Sequence, residues 1–188
     1  MKLRKWLGAL VPFLMLGAAG PAAAYPDKPV QYIIPFAPGG ESDITARMQA
    51  VVFQAKYKQQ MIVLNRPGAG GGLVWSTLNG MANDGSIIAG VNLPHIFLQP
   101  LEGNVNYKTD DLAPVYFFQY TADAVVVTES SPFKTLQDLI AAAKANPEKV
   151  TLAGSGTFSA NHMATERLSK LFGIKLTYVP FKGTGELS

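Results

Sequence analysis

Val30-Gln-Tyr-Ile-Ile-Pro-Phe-Ala-Pro-Gly-Gly-Glu-Ser-Asp43 decides how this chain folds. An apolar, β-rich run from Val30 to Ile34 stops at Pro35. Pro38, Gly39 and Gly40 then make a turn. Ser42 and Asp43 stand as a cap pair before a stretch, 44–53, that reads as a helix. The unit is a strand, a glycine turn and a capped helix. Amides at such a helix start have no internal partners and lie at the positive end of the helix dipole, so the geometry suits an anion.

Two later stretches repeat the unit. Residues 61–65 read as a strand ended by Arg66-Pro-Gly-Ala-Gly-Gly-Gly72, with a helical segment over 73–81. Residues 150–153 read as a strand ended by Gly154-Ser-Gly-Thr157, with a helix over 159–172 stopped by Gly173. Further strands are expected at 86–90, 114–120, 124–128 and 175–179, and a helix from Thr135 to Ala145. Residues 91–113, with Pro94, Pro100 and Gly103, read as irregular. This alternation predicts an α/β fold with largely parallel sheets flanked by helices. A domain change is expected near 121–123. Ligands in such folds sit at the carboxyl ends of the strands, where all three glycine turns fall.

The first 24 residues read as a secretory leader. Met1-Lys-Leu-Arg-Lys5 is basic, 6–20 is apolar, and Ala22-Ala-Ala24 is a small-residue cleavage site. Three of the sixteen Lys and Arg residues lie in that leader, leaving thirteen of each sign beyond it and no net charge. That balance gives no reason to expect a nucleic-acid partner. With no cysteine there is neither disulfide nor thiolate metal site.

No phosphate-loop sequence is present, and no G-x-G-x-x-G stands in frame at a turn, which argues against nucleotides. There is no G-x-S-x-G elbow, so Ser42 beside Asp43 reads as a cap and not a nucleophile. His162 and Glu166 share a helix face; a metal site there lacks an evident third ligand, and a local hydrogen bond is favoured. Trp75 is expected to pack on the sheet and not to line a cleft. Arg66 and Lys182 are expected in solvent. No catalytic residue, cofactor or metal is expected.

Several blocks in order resemble the tripartite tricarboxylate transporter substrate-binding family, also called the Bug family of periplasmic solute receptors. They are Tyr25-Pro-Asp-Lys-Pro29, Pro35-Phe-Ala-Pro-Gly-Gly-Glu-Ser-Asp43, Asn65-Arg-Pro-Gly-Ala-Gly-Gly71, Tyr107-Lys-Thr-Asp-Asp-Leu-Ala-Pro-Val115, the 155–162 stretch and Val179-Pro-Phe-Lys-Gly183. The resemblance implies a type II periplasmic-binding fold, periplasmic location, a small carboxylate as ligand, and docking on membrane subunits of a transporter. It implies a first lobe over 25–122 and the N-terminal part of a second over 123–188, the remainder of that lobe being absent. Family members run to about twice this length, so the described piece is expected to be marginal or aggregation-prone, and a full-length form monomeric. One jaw would comprise Phe36, Ala37, Pro38, Gly39, Gly40 and Asp43, supported by Gly68, Ala69, Gly70 and Gly71. The other would comprise Ser155, Gly156, Thr157, Phe158 and Ser159, with His162 nearby. Phe158 stands where the family usually has glycine. A remnant or ligand sensor without a transport role, and a small hydrolase using His162, are the ranked alternatives.

Overall fold

The computed structural model describes residues 25–187, so the expected leader lies outside the described residues. Two parallel sheets form. In the first, β1 (Val30–Ile34) lies between β2 (Met61–Asn65) and β3 (Ile87–Ala89). Val30 pairs with Met61 and Gln31 with Ile87, so all three strands point the same way. The neighbours cover the edges of β1, and Tyr32, Ile33 and Ile34 are buried in succession and not in alternation, as in a parallel sheet covered on both faces. Helix α1 (Glu41–Tyr57) joins β1 to β2, and α2 (Gly72–Leu78) joins β2 to β3. The core of this lobe gathers Ile33, Ile34, Phe36, Ala46, Val74, Trp75, Ile96 and Tyr107. Trp75 is fully buried and donates its indole N–H to Gly90 O at 2.9 Å, the sheet packing its sequence suggested.

The second sheet pairs β4 (Thr151–Gly154) with β5 (Thr177–Pro180) in parallel. Helix α4 (Leu136–Ala145) precedes it, and α5 (Ala160–Phe172) connects its strands. Thr135 caps α4, its hydroxyl accepting from Asp138 N while the Asp138 carboxylate accepts from Thr135 N, a reciprocal cap legible as Thr-x-x-Asp. Leu139, Ala143, Val150 and Ile174 form its smaller core.

Three expectations are corrected. Residues 91–113 are not irregular: α3 (His95–Glu102) forms with Pro100 inside it and Gly103 as its left-handed C-cap. Pro100 lies late enough in a short helix that little of the hydrogen-bond ladder is lost. Residues 114–120 and 124–128 form no strand. Val115, Tyr116, Phe117, Tyr120 and Val126 are strongly exposed, and among the described residues no strand lies alongside to pair with them. β propensity expresses itself only on a sheet. Lastly, α1 is capped by the backbone of Gly40 without a side-chain bond, and Ser42 and Asp43 lie inside its first turn.

Candidate functional site

The turn after β1 is held from behind. Asp43 is buried, and its Oδ2 accepts the Gly39 N–H at 2.9 Å. The Arg47 fork grips the same carboxylate, with Nη2 2.9 Å from Oδ1. Arg47 also reaches Asn65 Oδ1, and the Asn65 amide donates to Phe36 O. Burial works against the Asp43 charge, but Arg47, the Gly39 amide and Asn65 outweigh it and hold the carboxyl below its usual value. Asp43 therefore pins the loop through Gly39 and Arg47. The Ser42 and Asp43 amides, in the first turn of α1, have no carbonyl four residues back inside the helix.

The turn after β4 satisfies itself more fully. Ser155 donates both its amide, at 3.1 Å, and its hydroxyl, at 2.8 Å, to Asn161 Oδ1. Asn161 Nδ2 in turn donates to Asp123 Oδ1. The Phe158 amide donates to His162 Nδ1 at 3.1 Å, and Ser159 Oγ caps α5 by accepting the His162 N–H. Tyr178 donates to Gly156 O at 2.9 Å and receives the Ser159 hydroxyl, while its ring stacks on His162 at 4.3 Å. His162 thus builds the turn. Its Nε2 lies 3.8 Å from Glu166, too long for the expected hydrogen bond. Thr157 stays exposed.

The middle turn bears one lobe on the other. Gln99 from α3 donates to Ala69 O and Gly70 O. Gly71 packs under the Trp75 ring, while Gly68 lies against Leu73. A Cβ on Gly156, which has φ near +104°, would stand 3.2 Å from Gly70 Cα, so the backbone conformation calls for glycine and the contact is tight for anything larger. Beside this contact His95 Nε2 lies 3.3 Å from Ser155 O, linking α3 to the second lobe. Burial pushes the His95 imidazole down to about 4, against a smaller opposite pull from that carbonyl. The neutral ring therefore donates through Nε2, and its Nδ1 is buried without a partner.

A fourth turn closes the arrangement. After β5, Lys182 O accepts the Ala37 amide at 3.0 Å, and Thr184 Oγ1 accepts the Glu41 amide at 3.2 Å. Gly185 lies directly on Pro38 O and Gly40 N, with no room for a Cβ. Between the turns lies a cavity of about 30 Å³ lined by Phe36, Gly40, Glu41, Ser42, Asn92, Ser155, Gly183 and Thr184. That is roughly the volume of one water molecule. A larger depression, lined by Val51, Gln54, Ala55 and Lys58, lies along α1, away from the turns.

Of the residues singled out by sequence, Phe36, Gly40 and Ser155 line the cavity. Ala37, Pro38, Gly39 and Asp43 shape the first turn. Gly68, Ala69, Gly70 and Gly71 form the bearing, and Gly156, Phe158, Ser159 and His162 the scaffold of the third turn. Glu41, Asn92, Gly183 and Thr184 were missed, and Ser42 was read only as a cap. Gly183-Thr-Gly185 carried the same signal as the other turns, glycine at the end of a strand. Asn92 carried none, because it sits in the stretch read as irregular.

The family model described as a tripartite tricarboxylate transporter family receptor matches residues 45–187. A UPF0065 protein from the gbd 5' region of Cupriavidus necator is 34% identical over 174 residues, covering 90% of this chain and 53% of that protein. Protein BugT of Bordetella pertussis is 33% identical over 174 residues, again 90% of this chain and 53% of its own length. Among solved structures, a periplasmic transporter superposes with a TM-score of 0.80 at 31% identity, over 87% of this chain and 55% of that one. MatC from Rhodopseudomonas palustris with bound malate superposes with a TM-score of 0.70 at 25% identity, over 87% and 56%. The chain spans about half the length of the relatives it matches.

Proposed function

This chain belongs to the tripartite tricarboxylate transporter receptor family, and on that premise we propose that it is a periplasmic receptor that closes two lobes on a small carboxylate and passes it to the membrane subunits of a tripartite tricarboxylate-type transporter. The observation that carries the reading is the cavity shared by the turn after β1 and the turn after β4, the latter lying beyond the expected lobe boundary at 122–123. A structural neighbour with bound malate agrees with that chemistry.

The first turn of α1 offers the Ser42 and Asp43 amides, with the Asn92 amide beside them against Ser42 Oγ, and the facing wall offers the exposed Thr157. All are neutral. Such donors hold an anion without a buried counter-charge that would have to be re-solvated on release, which suits reversible capture. The cavity is narrow and partly open to solvent, and the lobes part further to admit a ligand. Closing over the ligand then shifts the population towards the form the transporter reads. Binding and closure need no covalent step.

Asn92→Asp tests this directly. The change is nearly isosteric and places a carboxylate in the cavity. Calorimetry against a panel of small carboxylates is expected to show binding by the parent and at least about a tenfold loss in the variant. Equal affinity in both would refute the assigned cleft.

A further inference from the structure

We propose that the site prefers an amino carboxylate, a ligand with a carboxylate at one end and a cationic nitrogen at the other, over a dicarboxylate. The inference rests on the receptor reading above and adds the chemistry of the ligand's far end.

Glu41 is the one charged residue among those lining the cavity. Its own amide belongs to the first jaw, so its carboxylate stands within a side chain's length of any anion held there. That carboxylate has only neutral partners, Gln119 Nε2 and Thr121 Oγ1. A second carboxylate, Asp123, lies against the opposite jaw. It accepts from Asn161 Nδ2, and Asn161 is the residue that fixes the Ser155 amide and hydroxyl. Residues 119–123 therefore run between the jaws with an acid attached at each end.

Among the described residues no ion pair includes Glu41 or Asp123. Among the described residues the Lys and Arg ion pairs join Lys28 to Asp84, Arg47 to Asp43 and Lys175 to Glu148. Arg47, the basic residue nearest in sequence, is spent on Asp43 and Asn65. Position in the first turn of α1 suits Glu41 through the helix dipole. The same dipole is what a ligand carboxylate uses, so Glu41 already draws on the positive end that a doubly charged anion would need. One carboxylate can still be held by neutral amides. A second would be repelled by the unpaired Glu41 carboxylate on the cavity wall. An ammonium in its place meets the Glu41 carboxylate favourably and displaces only neutral groups.

The test is calorimetry of the full chain with a length-matched pair, 4-aminobutyrate and glutarate, on the parent and on Glu41→Gln. Glutamine keeps the size and hydrogen-bonding reach of Glu41 and removes its charge. The expected result is at least about a tenfold preference for 4-aminobutyrate in the parent. In Glu41→Gln the preference collapses to about threefold or less, with glutarate binding more tightly than before. Glutarate binding as well as or better than 4-aminobutyrate to the parent overturns the inference and leaves the receptor reading standing. A ratio unmoved by Glu41→Gln also overturns it. Binding of neither compound, and of no carboxylate in the wider panel, overturns the receptor reading and the inference together.

Discussion

In the first sheet β1 has a strand on each side and four of its five residues are buried; in the second, β4 has β5 on one side and only one of its four residues is buried. Both regions repeat the same strand, glycine turn and helix. The first lobe finishes its core around Trp75, Ile33 and Ile34, whereas the second has Leu139, Ala143, Val150 and Ile174. The contrast extends to the turns. The first is braced from behind by Asp43 and Arg47 and leaves helix amides free. The third spends Ser155 and Phe158 on its own helix. A stiff wall that offers donors thus faces a thinner wall whose shape depends on its internal bonds.

The largest effect that sharpens this contrast is expected from core truncation. Trp75→Ala should cost about 3–5 kcal/mol, and Leu139→Ala about 2–5 kcal/mol. If the lobes are separate cooperative units, hydrogen exchange will show Trp75→Ala loosening β1, β2 and β3 and Leu139→Ala loosening β4 and α5. Loss of protection throughout the chain from either change would show that the two regions unfold as one.

Acid should act next, at the contact between the regions. His95 is held neutral, near 4, while an exposed histidine titrates at about 6.5. Between those values the unfolded chain binds a proton that the folded one refuses. Stability is therefore complete above about pH 7 and falls as pH drops through 6.5 towards 4, by up to about 1.4 kcal/mol per pH unit. Denaturation followed across that range should show the slope, and His95→Gln should flatten it. An unchanged slope in the variant would assign the acid sensitivity elsewhere.

The smallest effect concerns Phe158, which has φ near +61°. A left-handed backbone costs a non-glycine residue about 1–2 kcal/mol. Phe158→Gly should relieve part of that, offset by glycine's own entropy and the lost ring contact with His162. We expect the second lobe to gain no more than about 1 kcal/mol by chemical denaturation. A clear loss would mean that ring packing outweighs the strain.

The β1 unit was legible because Tyr32, Ile33 and Ile34 are apolar in succession, and because a glycine turn marks its end without reference to anything distant. The helix over 160–172 was legible through Ser159 and Gly173 for the same local reason. What failed depended on partners. Residues 114–128 have strand-forming side chains, but a strand also requires a neighbour, and sequence does not show one missing. α3 was hidden by Pro94, which is its N-cap, and by Pro100, which lies inside its second half. The free amides expected at the third turn were a local reading too far, since Asn161 and His162 already take two of them. Thr184 escaped because its bond to Glu41 spans 143 residues.

The central claim is that one carboxylate touches both lobes at once. Amide-resolved NMR titration with a binding carboxylate tests it most directly. The account predicts that the Ser42 and Asp43 amides of α1 and the Thr157 amide of the facing turn shift together, with one common affinity. Shifts confined to one lobe, or centred on the Val51 and Lys58 face of α1, would contradict it.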